Sequence, residues 1–285
     1  MTIRRLAAFS DGTTGGNPAG VMIAETFPAD AEMQRIAAEI GYSETAFAIP
    51  DRESDGGPER WRVRYFSPET EVPFCGHATI ALGAALAEHS GLGRFALRLN
   101  QAEITVEATP GDEGGARAAL QSPPTRSGPV RAGLLEQALA LFGYRHDQLD
   151  PALPPAEIHA GADHLLLALA NRADLAAMTY DLDRGRALMR DHGLVTIMLV
   201  HERERSDFDV RNAFASGGVP EDPATGAAAA AFAGYLRDLG WPHGNRIRIV
   251  QGEDMGSRSL IEAEFGDEPG SPVRILGATR PIGPP

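Results

Sequence analysis

The sequence predicts an α/β (α+β) fold made of two pseudo-symmetric halves, and three features carry that expectation. Short alternating or apolar runs recur along the chain and read as strands. Each half holds one helix built of small residues, near 76–89 and 226–239. The order strand, loop, glycine, helix, strand also occurs twice, once from Val63-Arg64 to Gly76 and beyond, once from Val210-Arg211 to Gly226 and beyond. Repeats that each carry one functional unit are a common build, so duplication is favoured over coincidence.

The elements follow in order. Residues 3–9 alternate and read as a strand, and the Gly-rich loop Gly12–Gly16 leads through Asn17-Pro18-Ala19-Gly20 to a short strand at 21–25. Asp30 is placed to cap a helix over 31–40, with Met33, Ile36, Ala37 and Ile40 on one face. Strands are expected at 43–49 and at 61–66, where WRVRYF alternates strictly. Gly76 opens the first small-residue helix, and strands follow near 94–99, 102–108 and 116–121. Residues 1–122 form the first half, with the last strand, 273–280, returning to it; 123–130, rich in Pro, Gly and Ser, read as a linker; 131–270 form the second half. That half is expected to run helix 131–142, strand 164–169, helix 182–192, strands 194–200 and 207–214, the second small-residue helix, and strands 246–251 and 259–265.

Composition removes several classes of function. All 26 basic residues are arginine, which excludes a pyridoxal-phosphate Schiff base, a lysine nucleophile and a P-loop lysine. The single cysteine, Cys75, excludes an internal disulfide, a cysteine zinc cluster and two-thiol racemisation. The eight histidines show no HExxH or HxH spacing, so no metal site is expected. Net charge is −13 with scattered arginines, which argues against nucleic acid. No apolar run approaches the roughly 18 residues of a membrane span and no signal-peptide pattern is present, so no membrane partner and a cytoplasmic location are expected. The one dinucleotide-like string, from Gly91 to Ala96, follows a helix and reads as its C-terminal turn.

A few residues carry chemistry. A glycine at a helix start lets a ligand approach N–H groups at the positive end of the dipole, so Gly76 and Gly226 are candidate carboxylate-binding positions. Glu44, between Ser43 and Thr45 at the mouth of an apolar strand, is placed for partial desolvation, which moves a carboxyl toward acid–base use. A turn glutamate on the surface is the plain alternative from position alone. His77 sits in the first turn of a helix, where the dipole favours neutral imidazole, and first-turn packing is the plain alternative. Asp222, before Pro223, reads as a helix cap or as an acid in the same cleft. Cys75 lies where the dipole would activate a thiol, but with no matching thiol in the second half it reads as a small buried filler.

Taken together, Gly16-Asn17-Pro18-Ala19-Gly20-Val21, Ser43-Glu44-Thr45-Ala46-Phe47, Arg64-Tyr65-Phe66-Ser67-Pro68, Phe74-Cys75-Gly76-His77-Ala78-Thr79, Glu221-Asp222-Pro223-Ala224-Thr225-Gly226 and the late Gln251-Gly252 with Met255-Gly256-Ser257-Arg258 resemble the phenazine-biosynthesis isomerase-like (PhzF-like) family. The resemblance implies the diaminopimelate epimerase-like fold, in which each half is a curved, mostly antiparallel sheet wrapped around a central helix, with a site between halves and a homodimeric assembly. It implies a cofactor-free isomerase that moves a proton on a small carboxylate-bearing substrate, as in the isomerisation of a dihydro-hydroxyanthranilate. Glu44, His77 and Asp222 fall on the family's catalytic positions, and Asn17, Gly76, Gly226 and Ala227 on its substrate-binding ones. Ala227 departs from the family's usual serine; a lost hydrogen bond to a charged group is worth roughly 1.5–3 kcal/mol. Two other functions compete: an amino-acid epimerase or racemase on the same fold, and a binding or scaffold protein that has lost catalysis.

Overall fold

The computed structural model describes residues 2–51, 59–111, 115–242 and 244–283. The chain packs into two compact units, residues 1–121 with 276–285, and residues 122–275. The first contains β1 (Ile3–Ala8), β2 (Asn17–Ile23), α1 (Asp30–Ile40), β3 (Thr45–Pro50), β4 (Glu59–Phe66), β5 (Glu71–Val72), α2 (Gly76–Ser90), β6 (Gly93–Arg98), β7 (Glu103–Pro110) and β8 (Ala116–Gln121). The second contains β9 (Arg126–Pro129), α3 (Leu134–Phe142), β10 (Ala156–His159), β11 (Asp163–Ala168), α4 (Arg172–Ala176), α5 (Leu182–Asp191), β12 (Thr196–Glu204), β13 (Asp207–Ala213), β14 (Glu221–Asp222), α6 (Gly226–Leu239), β15 (Arg246–Gln251) and β16 (Ser259–Glu264). The last strand, β17 (Arg274–Pro281), leaves the second unit after Ile275 and pairs antiparallel with β1 through Thr279, Arg280 and Pro281.

The pairing of the first unit recurs in the second. β2 runs parallel to β3, β3 antiparallel to β4, β4 antiparallel to the short β5 and parallel to β6, and β6 antiparallel to β7. Likewise β11 runs parallel to β12, β12 antiparallel to β13, β13 antiparallel to the short β14 and parallel to β15, and β15 antiparallel to β16. Each parallel step is bridged by helices, α1 and then α2 in one unit, α4 with α5 and then α6 in the other, because parallel neighbours need a crossover.

Small residues let the central helices sit against the strands. Residues 77–86 of α2 are all buried, and so are 228–237 of α6. A side chain at Gly83 would place its Cβ 2.6 Å from Val106 Cγ2, and one at Gly234 would stand 2.6 Å from the Thr125 Cβ, so both contacts need glycine. Phe208 of β13 meets Phe232 of α6 edge to face, with ring centroids 4.9 Å apart. A second apolar layer covers the opposite faces of the strands. In the first unit Met33, Ile36 and Ala37 of α1 pack on Met22, Phe47 and Phe66. In the second, Leu134, Leu141, Leu188 and Met189 pack on Leu165, Leu167, Ile197 and Leu199. Burial on both faces is why 194–200 reads as a continuous apolar run.

Four expectations need correction. The stretch 123–130 is not a bare linker: it carries β9, which pairs antiparallel with β10. Asp30 does not cap α1. The N-cap is Ala29, and the Asp30 carboxylate instead accepts from Arg64 Nη1 at 2.6 Å. Asp222 does not cap α6 either, since the N-cap is Thr225 and Asp222 lies in β14. The strand expected at 21–25 begins earlier, at Asn17. The turn after α2 is as expected, with Gly91 at φ 95° and its N–H donating to the Ala87 carbonyl.

Candidate active site

The first unit gathers its chemistry at the start of α2. Tyr65 of β4 and Thr79 of α2 are hydrogen bonded through their hydroxyls at 2.7 Å, and Thr79 Oγ1 donates to the Cys75 carbonyl at 2.7 Å. Both residues are fully buried, and burial pushes the Tyr65 phenol far above its usual range, so it remains a donor. This pins the N-cap residue Cys75 and the first turn of α2 to the sheet. Nearby, Arg64 donates to both Glu71 oxygens, from Nε at 2.8 Å and Nη2 at 2.7 Å, and fastens β5 to β4. Those bonds hold the Glu71 carboxyl below the usual carboxylate range. The Arg64 guanidinium also lies 5.1 Å over the Phe66 ring.

Glu44 arrives from the other side. Its carbonyl accepts from the Gly20 N–H at 3.2 Å, and Gly20 pairs with the next residue, Thr45. Gly20 is there because a Cβ would stand 2.7 Å from Thr45 Oγ1 and 3.0 Å from Ile40 Cδ1. That close approach sets where β3 begins and therefore where Glu44 points. Phe47 packs against α1, and by the alternation of a strand Thr45 shares its face while Glu44 and Ala46 take the other, toward α2.

The result is a three-residue cluster. Cys75 Sγ donates toward Glu44 Oε2 at 3.4 Å and lies 3.3 Å from His77 Nδ1. His77 Nε2 is 3.4 Å from Glu44 Oε2 and 3.3 Å from Ser43 Oγ. The His77 side chain is 8% exposed and that of Glu44 18%, so the carboxylate is largely withdrawn from water yet reachable. Gly76 is half-buried with open space where a Cβ would project, and α2 has no side-chain cap among the described residues, leaving its first-turn N–H groups available. Asn17 is buried at the start of β2, opposite Ala8.

The second unit builds a different cluster at the start of α6. Asp222 is buried and its carboxylate accepts the Thr225 hydroxyl. Gln251 ties this turn together: its Nε2 donates to the Asp222 carbonyl at 2.7 Å and its Oε1 accepts from the Thr225 N–H at 3.2 Å. Arg211 clamps Glu221 of β14 as Arg64 clamps Glu71, with its Nη2 2.6 Å from Oε2. Gly226 is buried and Ala227 half-buried at the opening of α6, which also lacks a side-chain cap among the described residues.

Sequence reasoning placed Glu44 and His77, and the structure brings them together. It missed the part of Cys75, whose thiol touches both. The absence of a second cysteine makes it read as a filler; the sequence signal that points otherwise is its place as the residue before Gly76, at an N-cap with no capping oxygen. It also missed the two Arg–Glu clamps, legible only as Val-Arg before each glycine.

Comparison with known proteins identifies the lineage. The pattern of the phenazine biosynthesis-like protein family matches residues 6–280. The chain belongs to that family. It is 34% identical over 269 residues to an uncharacterized isomerase of Deinococcus radiodurans, covering 91% of this chain and 85% of that one. It is 30% identical over 258 residues to the trans-2,3-dihydro-3-hydroxyanthranilate isomerase of Pseudomonas chlororaphis, covering 90% and 87%. The crystal structure of a PhzF-family phenazine biosynthesis protein of Bacillus anthracis superposes with a TM-score of 0.83 at 20% identity, covering 99% and 98%, and so shares the fold. With these relatives the chain stands among the isomerases. No helix among the described residues is long and apolar enough to cross a membrane.

Proposed function

We propose that this isomerase moves a proton on a small carboxylate-bearing substrate without a cofactor, and that Glu44 is the shuttle. The observation that carries this reading is the Glu44 carboxylate held against buried His77 and Cys75 with a side still open. Glu44 Oε takes a proton from an activated substrate C–H and becomes a carboxylic acid. The electron pair left on the substrate delocalises, and Glu44, whose acid proton exchanges with solvent through its open side, then protonates a different carbon. His77, within 3.4 Å of the carboxylate, stabilises charge as it shifts, and a positioned acid–base group is worth about 10²–10⁴ in rate. The resemblance to the family assigns Asp222 the role of a second acid. The N–H groups at Gly76, open at the start of α2, receive the substrate carboxylate, and the resemblance to the family also assigns substrate-binding roles to Asn17, Gly226 and Ala227, the last without a hydroxyl. The protein is assigned to the cytoplasm as a homodimer, and light scattering on purified protein checks the assembly.

The epimerase reading is less well supported. Inversion at one carbon needs proton carriers on opposite faces; Cys75 and Glu44, 3.4 Å apart, serve one face, so that reading needs Asp222 as the opposing carrier in a mixed Glu/Cys/Asp pair. The scaffold reading has Ala227 as its motive, and the assembled Glu44–Cys75–His77 cluster speaks against it. The test is a panel of small carboxylates in heavy water, with trans-2,3-dihydro-3-hydroxyanthranilate first. One deuterium incorporated at a carbon, with an isomeric product, supports the proposal. Exchange confined to Cα with inversion of configuration and no isomeric product contradicts it.

A further inference from the structure

We infer that Glu44, Cys75 and His77 also form a binding site for a thiophilic divalent cation, zinc above all, and that a bound ion switches off the proton transfer proposed for the same residues. The inference rests on that proposal for its functional half and on geometry alone for its binding half.

The three side chains offer one sulfur, one nitrogen and one carboxylate oxygen, all within 4.8 Å of one another. Ligand bonds of about 2.3 Å for sulfur and about 2.0–2.2 Å for nitrogen and oxygen, arranged tetrahedrally, put sulfur about 3.5 Å from the other two donors and those two about 3.4 Å apart. The observed separations are 3.4 Å for Sγ to Oε2 and 3.4 Å for Nε2 to Oε2. Sγ lies 3.3 Å from Nδ1 and 3.9 Å from Nε2, so a turn of the imidazole about its own axis aims one nitrogen at an ion held between the other two donors. Three protein donors leave a fourth position for water or for the Ser43 hydroxyl, which already stands beside the ring.

Donor chemistry chooses the ion. Magnesium and calcium take oxygen ligands, whereas a thiolate with an imidazole selects zinc and its neighbours in the transition series. On binding, the Cys75 thiol proton passes to solvent, and thiolate plus carboxylate balance the two positive charges of the ion around a neutral imidazole. The mount is built in advance: Thr79 holds the Cys75 carbonyl and Gly20 holds the Glu44 carbonyl. An ion here occupies the oxygen and nitrogen lone pairs that the proton needs, so loading and turnover exclude each other. Local spacing in the sequence could not show this set, because its donors come from two separate segments. The matching places in the second unit, Thr225 and Ala227, supply no sulfur or nitrogen side chain.

Cobalt titration of the untagged protein without substrate tests the binding half. One equivalent should produce a thiolate-to-cobalt charge-transfer band, displaced by zinc and not by magnesium. Cys75→Ala should abolish the band, and Glu44→Gln should weaken zinc binding about tenfold or more. Should Cys75→Ala fold poorly, alkylation of the wild-type chain answers instead, since its single cysteine must be slowed by zinc and not by magnesium. A missing band, a band unchanged in Cys75→Ala, or alkylation indifferent to zinc overturns the inference, and loss of exchange in Glu44→Gln would still leave the shuttle standing. Zinc bound at this site with turnover undiminished contradicts the shuttle and the switch together.

Discussion

The two units follow one path but use its equivalent places differently. Arg64 of β4 and Arg211 of β13 clamp the glutamates of β5 and β14, and two residues beyond each arginine its own strand reaches Phe66 or Ala213, which pair with Thr45 and Ile197. Counting back one residue, Glu44 corresponds to Thr196. At the helix openings Cys75-Gly76-His77 corresponds to Thr225-Gly226-Ala227. In the first unit these places hold a carboxylate, a thiol and an imidazole in mutual contact with access to water. In the second, Thr196 is sealed in the interior and its hydroxyl is spent on His164 Nδ1 at 2.7 Å. A repeated frame therefore supplies anchor points, and burial decides whether a polar residue there does chemistry or holds structure.

Exchanging residues between the equivalent places should break that contrast most visibly. Glu44→Thr, which gives the first unit the residue of the second, should lower turnover by about 10²–10⁴ with little change in melting temperature. Thr196→Val should do the reverse, leaving turnover alone and costing about 1–3 kcal/mol, because it strands the buried His164 Nδ1. Steady-state rates and denaturant titrations of the two variants check both.

His164 sharpens the same point through pH. It is fully buried, and burial pulls its pKa down to about 4. An unfolded chain takes up that proton near pH 6.5 and the folded chain does not until about pH 4. The stability this neutral histidine allows is thus complete above about pH 6.5 and is lost as pH falls toward 4, by about 3 kcal/mol in all. Unfolding titrations across that range should show the slope in the wild type and a flatter one in His164→Gln.

Two further effects test where the units are alike. Gly83→Ala and Gly234→Ala each push a methyl into a wall of the central helix, Val106 in one case and Thr125 in the other. Each should cost about 1–3 kcal/mol, and the two losses should be similar if the helices do the same structural job.

Much of this was legible in the sequence. The central helices announce themselves by runs of Ala and Gly, and strands such as 61–66 by alternation. The two-residue strands β5 and β14 have no period to read, although they position both helix openings. β9 was hidden in a segment rich in Pro, Ser and Gly, whose composition mimics a linker. Asp222 reads as a cap because it precedes a helix, but the helix starts four residues later and the Thr225 hydroxyl turns back to it. The role of Cys75 is hard to read because its carboxylate partner lies on another segment, and no spacing rule relates Glu44 to position 75.

The central claim is that one carboxylate, Glu44, carries the proton. It is tested most directly by measuring substrate binding and solvent-deuterium exchange on one sample of Glu44→Gln. The account predicts binding within a few-fold of the wild type, as expected of a group that acts in the transition state, and exchange slowed by about 10²–10⁴. Exchange at the wild-type rate with binding intact would contradict it.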